Sequence, residues 1–119
     1  MSMKVLVYRK CSTCTKALKW LDEHNINYEE RAIKEENPTY EELKEWYTKS
    51  GLPLKKFFNT SGMLYKEMGL KDKLKDMSED EQLKLLATDG MLVKRPLVIG
   101  DDFVLTGFRE KEWIEAMHV

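Results

Sequence analysis

An apolar run, Val5-Leu6-Val7, stops just short of the chain's only two cysteines, Cys11 and Cys14, and a helical pattern begins directly behind them. Lys4 to Tyr8 reads as a short buried strand. Thr13 to Asn25 reads as an amphipathic helix, with Cys14, Ala17, Leu18 and Leu21 on one face at the i, i+3, i+4, i+7 spacing. Ile26 to Ile33 alternates partly and predicts a second strand, so the crossover helix makes the two strands parallel neighbours. The Cys-x-x-Cys therefore straddles a strand-to-helix turn. Cys14 is expected to point inward and Cys11, ahead of the first turn, to be the more exposed thiol; Ser12 is the expected N-cap.

The middle of the chain is helical. Asn37-Pro38-Thr39 introduces a helix through the capping-box pair Thr39 and Glu42, and Gly51 closes it. Shorter pieces are expected at Leu54 to Phe58 and Leu64 to Leu74, with Asn59 to Gly62 as a break. Ser78 and Glu81 form a second capping box before a helix that Gly90 is expected to stop. Leu97-Val98-Ile99 and Phe103-Val104-Leu105 flank Gly100-Asp101-Asp102 as a hairpin, and Arg109 to Met117 make a last helix with Trp113, Ile114 and Met117 inward. The order is β-α-β, a helical block, then β-β-α. Without the block this is the order of a thioredoxin-type domain, so the 119 residues are expected to form one α/β domain with a helical insertion at about 38–90.

Twenty basic and 21 acidic residues leave a net charge of -1, which gives no argument for direct nucleic-acid or anionic membrane binding. No run approaches the ~18 apolar residues of a membrane span. The start, Met1-Ser2-Met3-Lys4, shows no secretory apolar region, so a cytoplasmic protein is expected. There a Cys-x-x-Cys is catalytic, redox-sensing or metal-binding rather than a structural disulfide. Zinc fails on ligand count, since His24 and His118 lie at opposite ends of the chain, and no cofactor is expected. A thiol at a helix N-terminus faces unpaired N–H groups that favour thiolate, and Arg9, Lys10 and Lys16 are expected to add positive charge. Cys11 is thus the expected nucleophile and Cys14 the resolving thiol; the plainer alternative is two small apolar side chains filling the junction. Lys94-Arg95-Pro96 is the second candidate, with Arg95 beside Cys11 if that turn packs there. A solvated arginine before an ordinary loop proline fits the segment equally well.

Cys11-Ser12-Thr13-Cys14-Thr15-Lys16-Ala17, Asn37-Pro38 before a helix, Lys94-Arg95-Pro96-Leu97-Val98 and Gly107-Phe108 together resemble the ArsC/Spx family over essentially residues 4–117. The resemblance implies a thioredoxin-like fold with a mixed sheet and an inserted helical subdomain, a cis-proline at Pro96, and Arg95 at the site. Arsenate reductases of this type use a nucleophilic cysteine, matched by Cys11, and three arginines around the anion. Arg95 matches one of the three, while the other two positions fall at Asn59 and Gly107. Lys55, Lys56 or Arg109 could stand in, though lysine is not an equivalent bidentate fork. Spx/MgsR-type regulators use the same Cys-x-x-Cys as a disulfide switch and bind the C-terminal domain of the α chain of RNA polymerase. Gly51 corresponds to a glycine near that contact, but those chains continue past the final helix, where this one ends at Val119. The resemblance thus implies a thiol–disulfide redox protein of the ArsC type, served by a thiol donor such as glutaredoxin or thioredoxin, or alternatively a redox-switched regulator.

Overall fold

The computed structural model describes residues 3–119. β1 (Lys4–Val7), α1 (Ser12–Glu23) and β2 (Glu29–Ala32) form the expected β-α-β unit, with the strands parallel from Lys4 opposite Glu29 to Val7 opposite Ala32. β2 is shorter than its sequence pattern, because Ile26 and Tyr28 pack against the α1 side of the core before pairing begins. After the insertion come β3 (Leu97–Ile99), β4 (Val104–Thr106) and α6 (Glu110–Met117). β3 is antiparallel to both β1 and β4, which gives a mixed sheet in the order β2-β1-β3-β4. This is the thioredoxin-like architecture.

β1 is buried on both faces, as its unbroken apolar run requires. Val5 and Val7 pack with Cys14, Ala17, Leu21 and Trp113 on the α1/α6 side. Leu6, one residue out of phase, packs instead with Leu43, Phe57, Leu86 and other residues of the insertion. α6 seats Trp113 fully against the first of these clusters, but Ile114 is 40 % exposed rather than inward. It is turned about 100° away from Trp113 around the helix. Trp20, Phe108 and Trp113 meet edge to face, with ring centroids 4.7–6.1 Å apart.

The insertion comprises α2 (Tyr40–Ser50), a 3-10 turn at Leu54–Phe57, α3 (Met63–Glu67), α4 (Leu70–Lys73) and α5 (Glu79–Leu86). Both capping boxes form as expected. Gly51 ends α2 in the left-handed region. Gly90 does not stop α5, which already ends at Leu86 with Ala87 as its cap. Gly90 opens a further 3-10 turn, Gly90–Leu92, where its backbone presses on the Ile33 carbonyl. α2 and α5 are joined by hydrogen bonds from the Tyr40 and Tyr47 hydroxyls to Asp80 and Glu79.

One ion pair ties the sheet edge to the insertion. Arg31 on β2 donates to both Glu42 carboxylate oxygens, at 2.7 and 2.9 Å, and Glu42 also accepts the Thr39 N–H at 3.0 Å. The Arg31 bonds foremost, helped by Thr39 and opposed by partial burial, hold the Glu42 carboxyl at about 2. A folded-state pKa below the unfolded one stabilises fully above about pH 4.5 and loses that stabilisation as pH falls towards 2. Glu42→Gln is therefore expected to cost about 1–2 kcal/mol at pH 7. It should also flatten the dependence of Tm on pH in the acid range. Equal acid slopes for the variant and the wild type would show that the pair does not carry this titration.

Candidate functional site

Cys11 sits where the strand-to-helix turn places it, but it takes the N-cap position that Ser12 was expected to hold. Its backbone is extended (φ -87°, ψ 121°), its N–H donates to the Tyr8 carbonyl at 2.9 Å, and Ser12 is the first residue of α1. Serine's usual preference for caps therefore points one residue too far along. The Cys11 thiol is half-buried, and Cys14 is fully buried beneath it. The Tyr8 N–H points at the Cys14 sulfur at 3.5 Å.

Two sets of long-range contacts bring the walls of the site to the thiols. The Phe58–Val93 bridge, with Asn59 N–H to the Leu92 carbonyl and Lys94 N–H to the Phe57 carbonyl, both 2.8 Å, aligns residues 57–59 with 92–94. The next peptide, Arg95–Pro96, is cis, and the Pro96 carbonyl accepts the Gly107 N–H at 2.9 Å. The Gly107 carbonyl in turn accepts the Trp113 indole N–H at 3.1 Å. A cleft of about 770 Å³ results, with Cys11 in its wall.

Arg95 lines this cleft together with Lys55, Lys56, Lys94 and Arg109, so the cations proposed as stand-ins are indeed gathered there. Asn59 and Gly107 line it too. Glu112 is the single acidic residue of the wall, and it pairs with Arg109 at 3.7 Å. Among the described residues no carboxylate pairs with Lys55, Lys56, Lys94 or Arg95. Gly107 has φ +76°, and a Cβ there would lie 3.1 Å from Cε of Lys94. The Lys94 stem thus occupies the space a side chain at 107 would need, a substitution in space that no sequence spacing signals.

The two thiols differ electrically. Partial burial pushes Cys11 up, but the backbone and side chain of Cys14, the Thr13 N–H and the charge of Arg95 outweigh it, so its pKa lies below the ordinary thiol value. Burial pushes Cys14 up to about 11, with the neighbouring Cys11 adding to the rise and the Tyr8 N–H and Arg95 opposing it. At neutral pH the half-buried Cys11 sulfur has the greater thiolate character, and the buried Cys14 is held as thiol. The charge that weighs most on Cys11 is that of Arg95 rather than of a neighbour in sequence. Arg9 is bound to Glu30 at 2.5 and 2.7 Å, and Lys10 and Lys16 are exposed. Lys16 lies on the outer face of α1, opposite the buried residues Cys14, Ala17 and Leu18.

Sequence reasoning missed Tyr8, which it read only as the end of a strand. The Arg95 guanidinium carbon lies 5.3 Å from the Tyr8 ring centroid. Only contact across the sheet could reveal that pair.

The ArsC family profile matches residues 6–116. The chain is 57% identical over 115 residues to the uncharacterized Bacillus subtilis protein YusI, covering 97% of this chain and 98% of that one. It is 28% identical over 108 residues to the B. subtilis regulatory protein MgsR, covering 91% of this chain and 84% of MgsR. Among solved structures it is similar to an ArsC family related protein from Bacteroides fragilis, at TM-score 0.94 and 58% identity over 97% of both chains. It is also similar to an arsenate reductase from Vibrio cholerae, at TM-score 0.82 and 25% identity over 100% of this chain and 98% of that one. With a profile match along nearly its whole length, the chain belongs to the ArsC family.

Proposed function

We propose that the protein is a thiol–disulfide oxidoreductase of the ArsC type. In this reading the Cys11 thiolate attacks one sulfur of an oxidised substrate R–S–S–R′. The S–S bond breaks, R′S⁻ leaves and takes a proton from solvent, and a Cys11–S–S–R mixed disulfide remains. Cys14, deprotonated as it reacts, attacks the Cys11 sulfur and releases RS⁻. The Cys11–Cys14 disulfide then holds the two oxidising equivalents until an external dithiol such as glutaredoxin or thioredoxin reduces it. The observation that carries the proposal is the asymmetry of the pair: an accessible, acidified Cys11 facing a cationic cleft, over a buried Cys14 at about 11. Arg95 stabilises the Cys11 thiolate and the anionic groups that approach it.

Arsenate is expected to be a poor substrate. A tetrahedral oxyanion is held best by rigid bidentate donors, and the two further arginine positions of the reductases correspond to Asn59 and Gly107. Lys94 over Gly107 restores a charge but not the fork.

The test is a trap. Cys14→Ser incubated with 2-hydroxyethyl disulfide is expected to accumulate the Cys11 mixed disulfide, seen by mass spectrometry, while the wild type passes on to the internal disulfide. An adduct on neither protein would refute the enzymatic reading. The relatives named as regulators, MgsR and Spx 2, support a second reading, in which the Cys11–Cys14 disulfide switches binding to the RNA polymerase α C-terminal domain. Capture of that domain by only one redox state, without turnover of any disulfide, would establish this reading instead.

A further inference from the structure

Arg95 is an unusually placed cation. It is half-buried, its Nε is buried without any hydrogen-bond partner, and its Nη1 reaches only the Met91 carbonyl, at 3.3 Å. Its remaining support is the face of the Tyr8 ring, 5.3 Å from the guanidinium carbon. Tyr8 itself is anchored at both ends of its peptide: its N–H points at the Cys14 sulfur at 3.5 Å, and its carbonyl accepts the Cys11 N–H at 2.9 Å. One residue therefore touches both thiol residues and the cation that acts on them. We propose that Tyr8 is a positioning residue, whose ring holds Arg95 against Cys11 without neutralising it. The proposal rests on the thiol reading above.

The choice of an aromatic ring has a physical reason. A carboxylate in the same place would hold Arg95 more tightly, but it would cancel the charge and repel a thiolate. A ring face attracts a guanidinium through its quadrupole while carrying no net charge, so Arg95 keeps its full attraction for Cys11 and for an incoming anion. The interaction strengthens as water is withdrawn, and here the Arg95 Nε is buried and Tyr8 is half-buried. The other charged groups around the cleft, Lys55, Lys56, Lys94, Arg109 and Glu112, come from different segments. They stay in place when Tyr8 is changed, which makes the effect separable.

The experiment is the pH profile of Cys11 alkylation by iodoacetamide, read by mass spectrometry in a Cys14→Ser background. Tyr8→Leu is expected to slow alkylation at pH 6.5 about threefold and to move the profile towards higher pH. Tyr8→Phe, which keeps the ring, is expected to restore the wild-type profile. In an Arg95→Gln background Tyr8→Leu is expected to have no further effect, because the group it positions is gone. A merely structural role would lower stability equally in both backgrounds and leave the profile where it was. A Tyr8→Leu effect that persists without Arg95, or no effect in a folded variant, overturns the proposal. Should the leucine variant not fold, the wild-type protein still decides: the Arg95 guanidinium protons are expected to show an upfield ring-current shift by NMR, assigned by their loss in Arg95→Gln. Resonances at ordinary positions overturn it as well. A wild-type Cys11 that titrates as a free cysteine would instead sink the thiol reading itself, and the two failures are thus distinct.

Discussion

Cys11→Ser is expected to abolish disulfide reduction, with turnover falling at least about a thousandfold. A serine hydroxyl fits the same space but does not ionise near neutral pH, so the helix terminus and Arg95 have no thiolate left to stabilise. Cys14 does not take over. Burial, the main cause of its raised pKa, remains in this variant and keeps it as thiol at neutral pH, and its sulfur is fully buried. The measurement is steady-state reduction of 2-hydroxyethyl disulfide coupled to a thioredoxin or glutaredoxin system, with circular dichroism to verify folding. More than a tenth of wild-type turnover in Cys11→Ser would mean that the nucleophile lies elsewhere.

Gly90→Ala is expected to be the most damaging small substitution in the fold. A Cβ at Gly90 would lie 1.8 Å from the Ile33 carbonyl oxygen and 2.7 Å from its carbon, so no rotamer relieves the clash. Nor is Ile33 free to retreat: its side chain is fully buried, and its N–H donates to the Val7 carbonyl at 2.9 Å, at the end of the β1–β2 pairing. The cost is about 3 kcal/mol or more, which removes a large part of the stability of a domain this size. Tm is expected to fall by roughly 12 °C or more. Gly69→Ala makes the control. It sits at φ +62° with nothing within 4 Å of a Cβ, so only left-handed strain applies, at about 1 kcal/mol. Urea titration of both variants checks the ranking, and a Gly90→Ala midpoint no lower than that of Gly69→Ala would refute it.

What the sequence made legible was what neighbouring residues decide among themselves. Thr39 with Glu42, and Ser78 with Glu81, cap their helices from within one turn, and both boxes form. The inward face of α1 follows from its apolar spacing, and so do the burial of Cys14 and the greater exposure of Cys11. The errors have the opposite origin. Gly90 looked like a helix stop because glycine often is one, whereas its reason is the distant Ile33 backbone. Arg9 and Lys16 looked like partners for Cys11 because they are close in sequence. Space instead assigns Arg9 to Glu30 and brings Arg95 from the far side of the insertion. Arg95 itself came into view through the family resemblance, since the segment alone fitted a solvated arginine just as well.

The double burial of β1 has a consequence for how the molecule comes apart. Val5 and Val7 belong to the layer that carries the thiols, and Leu6 belongs to the layer built by the insertion. A single strand thus serves as the inner wall of both. Opening the insertion uncovers Leu6 and loosens the strand that precedes Cys11, while pulling α1 away uncovers the valines on the strand's other face. The helical block and α1 are accordingly expected to unfold together, with the β1 amides the last to exchange with solvent. A lesion in the insertion is therefore expected to lower the stability of the strand that leads into Cys11.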